Sequence, residues 1–373
     1  MGIIDNIEKK AKQTVLKTAF DLIDKNPEKN IDKFIDLIKK NMKDEEQLQK
    51  FEEFETIFME TDSMKLYVED ILKNSHKNCM KKIIYNFIGN QIWFGSSKRE
   101  KLGDKIGRKL PFTLMITPSM RCNLRCQGCE TANYSKKDDL PYEDMEKIIK
   151  EARDLGIYYI VILGGESFFN DYLMDLYNKY SDMMFMPLTN GTLFNDKVVD
   201  RIANMGNVFP VISLDGDESY VDSIRGRGVF QSIMYSMQLL KKKGIPFGVY
   251  TTTKSNNMKK VVEDSFVDLL IRKGARAIMY SPIALKGDNL EAFNKSVLSP
   301  GERLTLGERS KDIRCSKKIL TIDLFNDLDN FDKLKEENYF YHINSKGMVV
   351  TCSSPKKLLG NVKEKSLVEI LEK

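Results

Sequence analysis

Cys122, Cys126 and Cys129 stand within eight positions of a chain that has six cysteines, in the stretch MRCNLRCQGCETANY at residues 120–134. Thiolates this close together can hold one metal centre, and the spacing limits which. A structural zinc site needs four nitrogen or sulfur ligands, usually as paired cysteines or cysteine with histidine. No second CxxC pair accompanies this one, and the only histidines are His76 and His342. A [4Fe–4S] cluster normally takes four thiolates. Three would leave one iron without a protein ligand and open to a small molecule. The bland alternative is a set of unrelated packed thiols, since free cysteine is commonly buried.

The spacing CxxxCxxC resembles the signature of the radical SAM superfamily. That resemblance implies a [4Fe–4S] cluster on Cys122, Cys126 and Cys129. It implies that the open iron takes the amino and carboxylate groups of S-adenosyl-L-methionine (SAM). One electron would then split SAM into methionine and a 5′-deoxyadenosyl radical. Further motifs carry the resemblance. Gly164-Gly165-Glu166 after an apolar run resembles the family's GGE segment, which binds the methionine amino group. Glycine there lets backbone approach a ligand without a Cβ. Ser213-Leu214-Asp215-Gly216 resembles the SxDG segment, whose hydroxyl and carboxylate bond the ribose or methionine end of SAM. Asn190, at the end of another apolar run, is a further candidate. Arg225 in RGRG, followed by Phe230, resembles a related stretch, and its guanidinium could pair with the SAM carboxylate as a bidentate donor. Gly128 stands where the family often has an aromatic residue against adenine.

The remaining cysteines are Cys79, Cys315 and Cys352. The stretch from Tyr341 through Gly347, Cys352 and Gly360 to Leu367 resembles the auxiliary-cluster region of SPASM/twitch-type radical SAM proteins. Cys315 and Cys352 are too few for a second four-thiolate cluster, so this region reads as a reduced, SPASM-like tail. The resemblance also implies an electron donor such as flavodoxin or ferredoxin. It leaves the substrate open between a peptide and a lipid. A rival of another class is a non-catalytic iron–sulfur and SAM-binding regulatory protein.

These motifs need elements to position them. With 373 residues and 42% apolar composition, the chain can bury a large core. A net charge of +5 does not point to nucleic acid. Six cysteines, half of them clustered, argue against a secreted disulfide scaffold. Residues 1–20 hold no uninterrupted apolar run like that of a signal peptide, and no stretch reaches membrane-span length. A cytoplasmic protein is expected, with a peripheral place at the membrane surface as a second option.

Residues 1–110 read as a helical region. Ile31, Phe34, Ile35 and Ile38 mark one helical face, and Asn26-Pro27 marks its start. Further helices are expected at 48–59 and 64–74. Residues 73–110 are basic around an apolar core containing Trp93, which suits either inward packing or an anionic membrane surface. Strand–helix alternation follows. Strands are expected at 112–117, 158–163, 183–188, 208–214, 247–252 and 275–281, with helices at 141–155, 195–205, 230–243 and 259–273. Such alternation implies parallel strands with right-handed crossovers. The glycines and polar residues fall at strand ends, where a βα barrel keeps its ligand site. The expected fold is α/β: a partial (β/α)6 TIM-type barrel at 111–298, an N-terminal helical region at 1–110, and a small α+β C-terminal extension at 299–373. In that extension, strands are expected at 319–324, 339–343 and 348–351, a hairpin turn at 344–347, and a helix at 366–372.

Overall fold

Apolar side chains on both faces of successive short runs commit these segments to a buried parallel sheet. The computed structural model describes residues 3–42, 45, 48–49, 51–52, 55–56, 61–129, 139–282, 296–327, 340–351 and 358–372. Its strands are β1 (Thr113–Ile116), β2 (Tyr159–Ile162), β3 (Met184–Thr189), β4 (Val211–Ser213) and β5 (Gly248–Thr253). They continue as β6 (Ala277–Pro282), β7 (Leu320–Asp323), β8 (Phe340–Ile343), β9 (Met348–Thr351) and β10 (Leu358–Asn361). Strands β1 to β7 lie side by side in chain order and run parallel. The sheet does not close into a ring; β7 and β10 are its two ends.

Side chains alternate between the faces with the period of two that a strand imposes. Leu114, Ile116, Ile160, Ile162, Phe185, Ile212, Val249 and Ile278 join the main core under the helices. Met115, Val161, Met186, Val211, Tyr250 and Met279 form a separate cluster on the opposite, concave face. The concave face is where anything held inside the partial barrel must sit.

The C-terminal strands extend this sheet at both ends. β7 pairs parallel with β6, and β8 pairs parallel with β1. β9 and β10 follow antiparallel. The expected turn between β8 and β9 is present: Gly347 N donates to Asn344 O at 2.9 Å, with Gly347 at φ 85°. Helix Leu367–Leu371 is capped by Ser366, which exchanges hydrogen bonds with Glu369. Helices that the periodicity did not single out also pack on the sheet, among them Asp171–Lys179, Glu218–Arg225 and the long Pro300–Ser316, whose Leu306 and Ile313 join the main core.

The N-terminal helices form their own core. Asn26 caps helix Pro27–Asn41 by accepting from Lys29 N, and Ile31, Phe34 and Ile38 are buried on it. The expected helix at 48–59 lies largely outside the described residues. Residues Ile83–Phe94 form a π-helix, an uncommon i→i+5 geometry. Its Ile84, Ile88 and Trp93 pack inward, with Trp93 only 1% exposed. Its amides fasten the helical region to the sheet. Gln91 Nε2 donates to Phe112 O at 2.5 Å, and Tyr158 N donates to Gln91 Oε1 at 2.6 Å. Asn86 Nδ2 reaches Ser181 O and Met183 O. Of the apolar residues read as a face for a membrane surface, Ile84, Ile88 and Trp93 are therefore turned into the protein, while Ile83, Tyr85, Phe87, Ile92 and Phe94 are half-buried. Among the described residues, no helix is long and apolar enough to cross a membrane.

Candidate metal centre

β1 ends at Ile116, and the chain passes directly into the cysteine loop at the sheet's C-terminal edge. The end of β2 seats that loop. Gly165 N donates to Ser119 O at 3.0 Å, and Glu166 N donates to Arg121 O at 2.8 Å. A Cβ on Gly164 would stand 2.3 Å from Ser119 O, and one on Gly165 would stand 2.1 Å from Arg121 O. No side chain fits at either position, because the loop's own backbone occupies the space. On the loop's other side, Gln127 N donates to Ile224 O at 2.9 Å. Cys129 N turns back to Cys126 O at 3.2 Å, with Gly128 between them at φ 75°.

Glu166 is 2% exposed, and its carboxylate organises the end of β3. Oε1 accepts from Thr189 Oγ1 at 2.7 Å and from Phe168 N at 3.0 Å; Oε2 accepts from Asn190 N at 2.7 Å. Burial pushes its pKa up, against the pull of these donors. Asn190 in turn reaches the cysteine loop. Its Nδ2 lies 3.6 Å from Cys122 Sγ and 2.9 Å from Asn123 Oδ1. Leu124 N also donates to Cys122 Sγ, at 3.4 Å.

Asp215 and Arg225 form a buried pair on the Cys126 side. Arg225 Nη2 donates to Asp215 Oδ2 at 2.5 Å. Asp215 Oδ1 accepts from Thr252 N, and Asp215 O accepts from Asn257 Nδ2. Burial opposes the Arg225 charge, yet the Asp215 carboxylate and the nearby Cys126 and Cys129 leave its pKa raised. Burial raises the Cys126 thiol, and Arg225 works in the opposite direction. Cys122 is also raised by burial, with Leu124 N pulling it down. Ser213 closes β4, half-buried and in register with Tyr250.

The structure thus brings the residues expected from the sequence to one edge of the sheet. Glu166 and Asn190 are wired to the Cys122 side, Asp215 and Arg225 to the Cys126 side. Thr189, Asn123, Thr192, Thr252 and Asn257 complete the frame. The run Thr189-Asn190-Gly191-Thr192 at a strand end is the signal that could have pointed to two of them.

The donor set fits an iron–sulfur cluster. Three soft sulfur ligands sit on one loop, with N–H donors already aimed at one sulfur. Among the described residues, no three His, Cys, Asp or Glu side chains converge closely enough to share a single ion.

The other thiols differ in kind. Cys79 is 1% exposed, and burial pushes its pKa to about 12. Cys315 is exposed, and Cys352 lies outside the described residues. In native protein treated with iodoacetamide at pH 8, mass spectrometry should find Cys315 carboxamidomethylated within minutes. Cys79 should stay unmodified until denaturant is added. Rapid native labelling of Cys79 would contradict this packing.

Comparison with known proteins agrees with this geometry. The description "Radical SAM superfamily" matches residues 116–270. The chain is 27% identical over 263 residues to the uncharacterized protein MJ0907 of Methanocaldococcus jannaschii, covering 63% of this chain and 90% of that one. It is 23% identical over 267 residues to the sporulation killing factor maturation protein SkfB of Bacillus subtilis, covering 70% of this chain and 65% of SkfB. Among solved structures, Streptococcus suis SuiB bound to its precursor peptide SuiA gives a TM-score of 0.59 at 21% identity, covering 76% of this chain and 70% of SuiB. At that identity the likeness shows the fold.

Proposed function

We propose that this chain is a radical SAM enzyme that cleaves SAM reductively, since residues 116–270 match the radical SAM superfamily, whose members use a [4Fe–4S] cluster and SAM. The observation that carries the proposal is the cysteine loop seated at the C-terminal edge of the parallel sheet, with Cys122 Sγ already receiving N–H donors. Cys122, Cys126 and Cys129 would hold the cluster. When bound there, the cluster would supply the electron that splits SAM into methionine and a 5′-deoxyadenosyl radical, which abstracts hydrogen from the substrate.

The protein's own part is orientation. Gly164 and Gly165 keep the loop against β2, and Glu166 fixes the end of β3 beside it. Ser213, Asp215 and Arg225 stand at and just beyond the end of β4, on the side of Cys126, and form the proposed seat for SAM. In this reading Asp215 holds Arg225 in place, and the guanidinium pairs with the SAM carboxylate. An external donor such as flavodoxin or ferredoxin would supply the electron. We assign the substrate to the peptide class, because SkfB is named as a maturation protein and SuiB is seen with a precursor peptide. A lipid substrate is the alternative, with less behind it because Ile84, Ile88 and Trp93 of the apolar segment are buried.

Electron paramagnetic resonance of the dithionite-reduced cluster, with and without SAM, tests the open iron. A changed signal on adding SAM supports direct ligation; an unchanged one contradicts it. Arg225→Lys tests the seat. Lysine lacks the planar fork, so the Kd for SAM should rise about tenfold, or ~1.4 kcal/mol, with iron content unchanged. An unaltered Kd would remove Arg225 from the SAM site.

A further inference from the structure

Asn190 makes four polar contacts through its side chain, and together they fix which way the amide faces. Nδ2 donates towards Cys122 Sγ at 3.6 Å and to Asn123 Oδ1 at 2.9 Å. Oδ1 accepts from Thr192 N at 2.9 Å and from Thr192 Oγ1 at 2.7 Å. Asn123 Nδ2 closes a ring by donating to Thr192 Oγ1 at 2.8 Å. Reversing the Asn190 amide would set a donor against Thr192 N and an oxygen against the sulfur. The N–H therefore points at Cys122. Glu166 holds the backbone of the same residue through Asn190 N at 2.7 Å, and both residues are buried. As a free thiol, Cys122 can donate to Asn123 Oδ1, 3.9 Å away. As a thiolate on iron it has no proton and only accepts. Leu124 N and Asn190 Nδ2 are the donors aimed at it.

We infer that Asn190 is a positioning residue that hydrogen-bonds the Cys122 thiolate and raises the reduction potential of the cluster, with Glu166 holding it in place. This deepens the function proposed above and rests on Cys122 being a cluster ligand. The physical reason is charge. Reduction adds an electron to the cluster, and an N–H donor to a ligating sulfur stabilises the more negative state. Glu166 accepts from Asn190 N, Thr189 Oγ1 and Phe168 N, and Asn190 carries the link on to the cysteine loop.

The test compares reconstituted wild type, Asn190→Ala and Asn190→Asp in redox titrations without SAM, followed by electron paramagnetic resonance. At a fixed potential, Asn190→Ala should lower the ratio of reduced to oxidised cluster three- to tenfold, tenfold corresponding to about 59 mV for a one-electron couple. Asn190→Asp should lower it further, because an acceptor replaces the donor. A second measurement leaves Asn190 in place. Protein labelled with 15N only in asparagine side chains should show a 15N coupling in pulsed spectra of the reduced cluster, in wild type and in Asn123→Ala alike, because Asn123 also lies beside Cys122. If Asn190→Ala fails to take up iron, that coupling decides: its presence supports the inference and its absence overturns it. A normal cluster with unchanged potential in both variants and no 15N coupling overturns the inference alone. A wild type that takes up no cluster overturns the function proposed above, and this inference with it.

Discussion

Replacing Cys126 by alanine is expected to leave a folded protein that no longer holds its cluster. After anaerobic reconstitution, iron should fall from about four to below about one per chain, because two thiolates cannot retain a cubane that normally has four. The fold should survive. The loop is anchored through Ser119, Arg121 and Gln127, none of which needs the Cys126 side chain. The Asp215–Arg225 pair also remains, so its guanidinium keeps a compensating charge. Circular dichroism and the melting temperature of the apo forms should match wild type. A variant that keeps a full complement of iron and sulfide would show that the cluster is held elsewhere.

Gly165→Ala should be nearly as damaging for a different reason. The new methyl group would lie 2.1 Å from Arg121 O, and 2.5 Å from both Arg121 C and Met120 O. Those atoms are backbone of the cysteine loop, so nothing can yield by rotating a side chain. Either β2 or the loop must move, and the hydrogen bonds from Gly165 N and Glu166 N to the loop weaken with it. The expected result is a cluster occupancy reduced at least about fivefold, beyond what a lost hydrogen bond alone would cause. Gly301→Ala is the matched control. Gly301 lies in helix Pro300–Ser316, and a Cβ there meets nothing within 4 Å. Alanine should stabilise that helix by about 0.5–1 kcal/mol, with normal iron content. Equal iron content in the two variants would contradict the seating described here.

Gly165 also illustrates what a sequence can and cannot yield. The GGE motif was legible, as was its place after a buried strand. Its steric reason was not. The residues that exclude a Cβ are Ser119 and Arg121, more than forty positions earlier in the chain. Local pattern reading does not see a contact that exists only once β1 and β2 pair. The same holds for the protein partners of Glu166 and Asn190, Thr189 and Cys122, which the motif positions do not reveal. The strands themselves were legible because burial on both faces leaves an apolar run bounded by glycine and polar residues. The order at the sheet's ends was not, since β8 reaches β1 from more than two hundred residues away. Residues Ile83–Phe94 left two readings open for a geometric reason. An i→i+5 helix rotates its apolar stripe away from the 3.6-residue period, so the pattern alone did not choose between inward packing and a surface, and the burial of Ile84, Ile88 and Trp93 favours the first.

If this loop of three cysteines turns SAM into a radical source, the product to measure is 5′-deoxyadenosine, quantified by mass spectrometry after anaerobic incubation of reconstituted protein with SAM and dithionite. A candidate precursor peptide should be present in parallel samples, with Cys126→Ala as control. Wild type should form 5′-deoxyadenosine and methionine in equal amounts, and the variant should form neither. A wild type that holds its cluster, binds SAM and still releases no 5′-deoxyadenosine under any of these conditions would contradict the account.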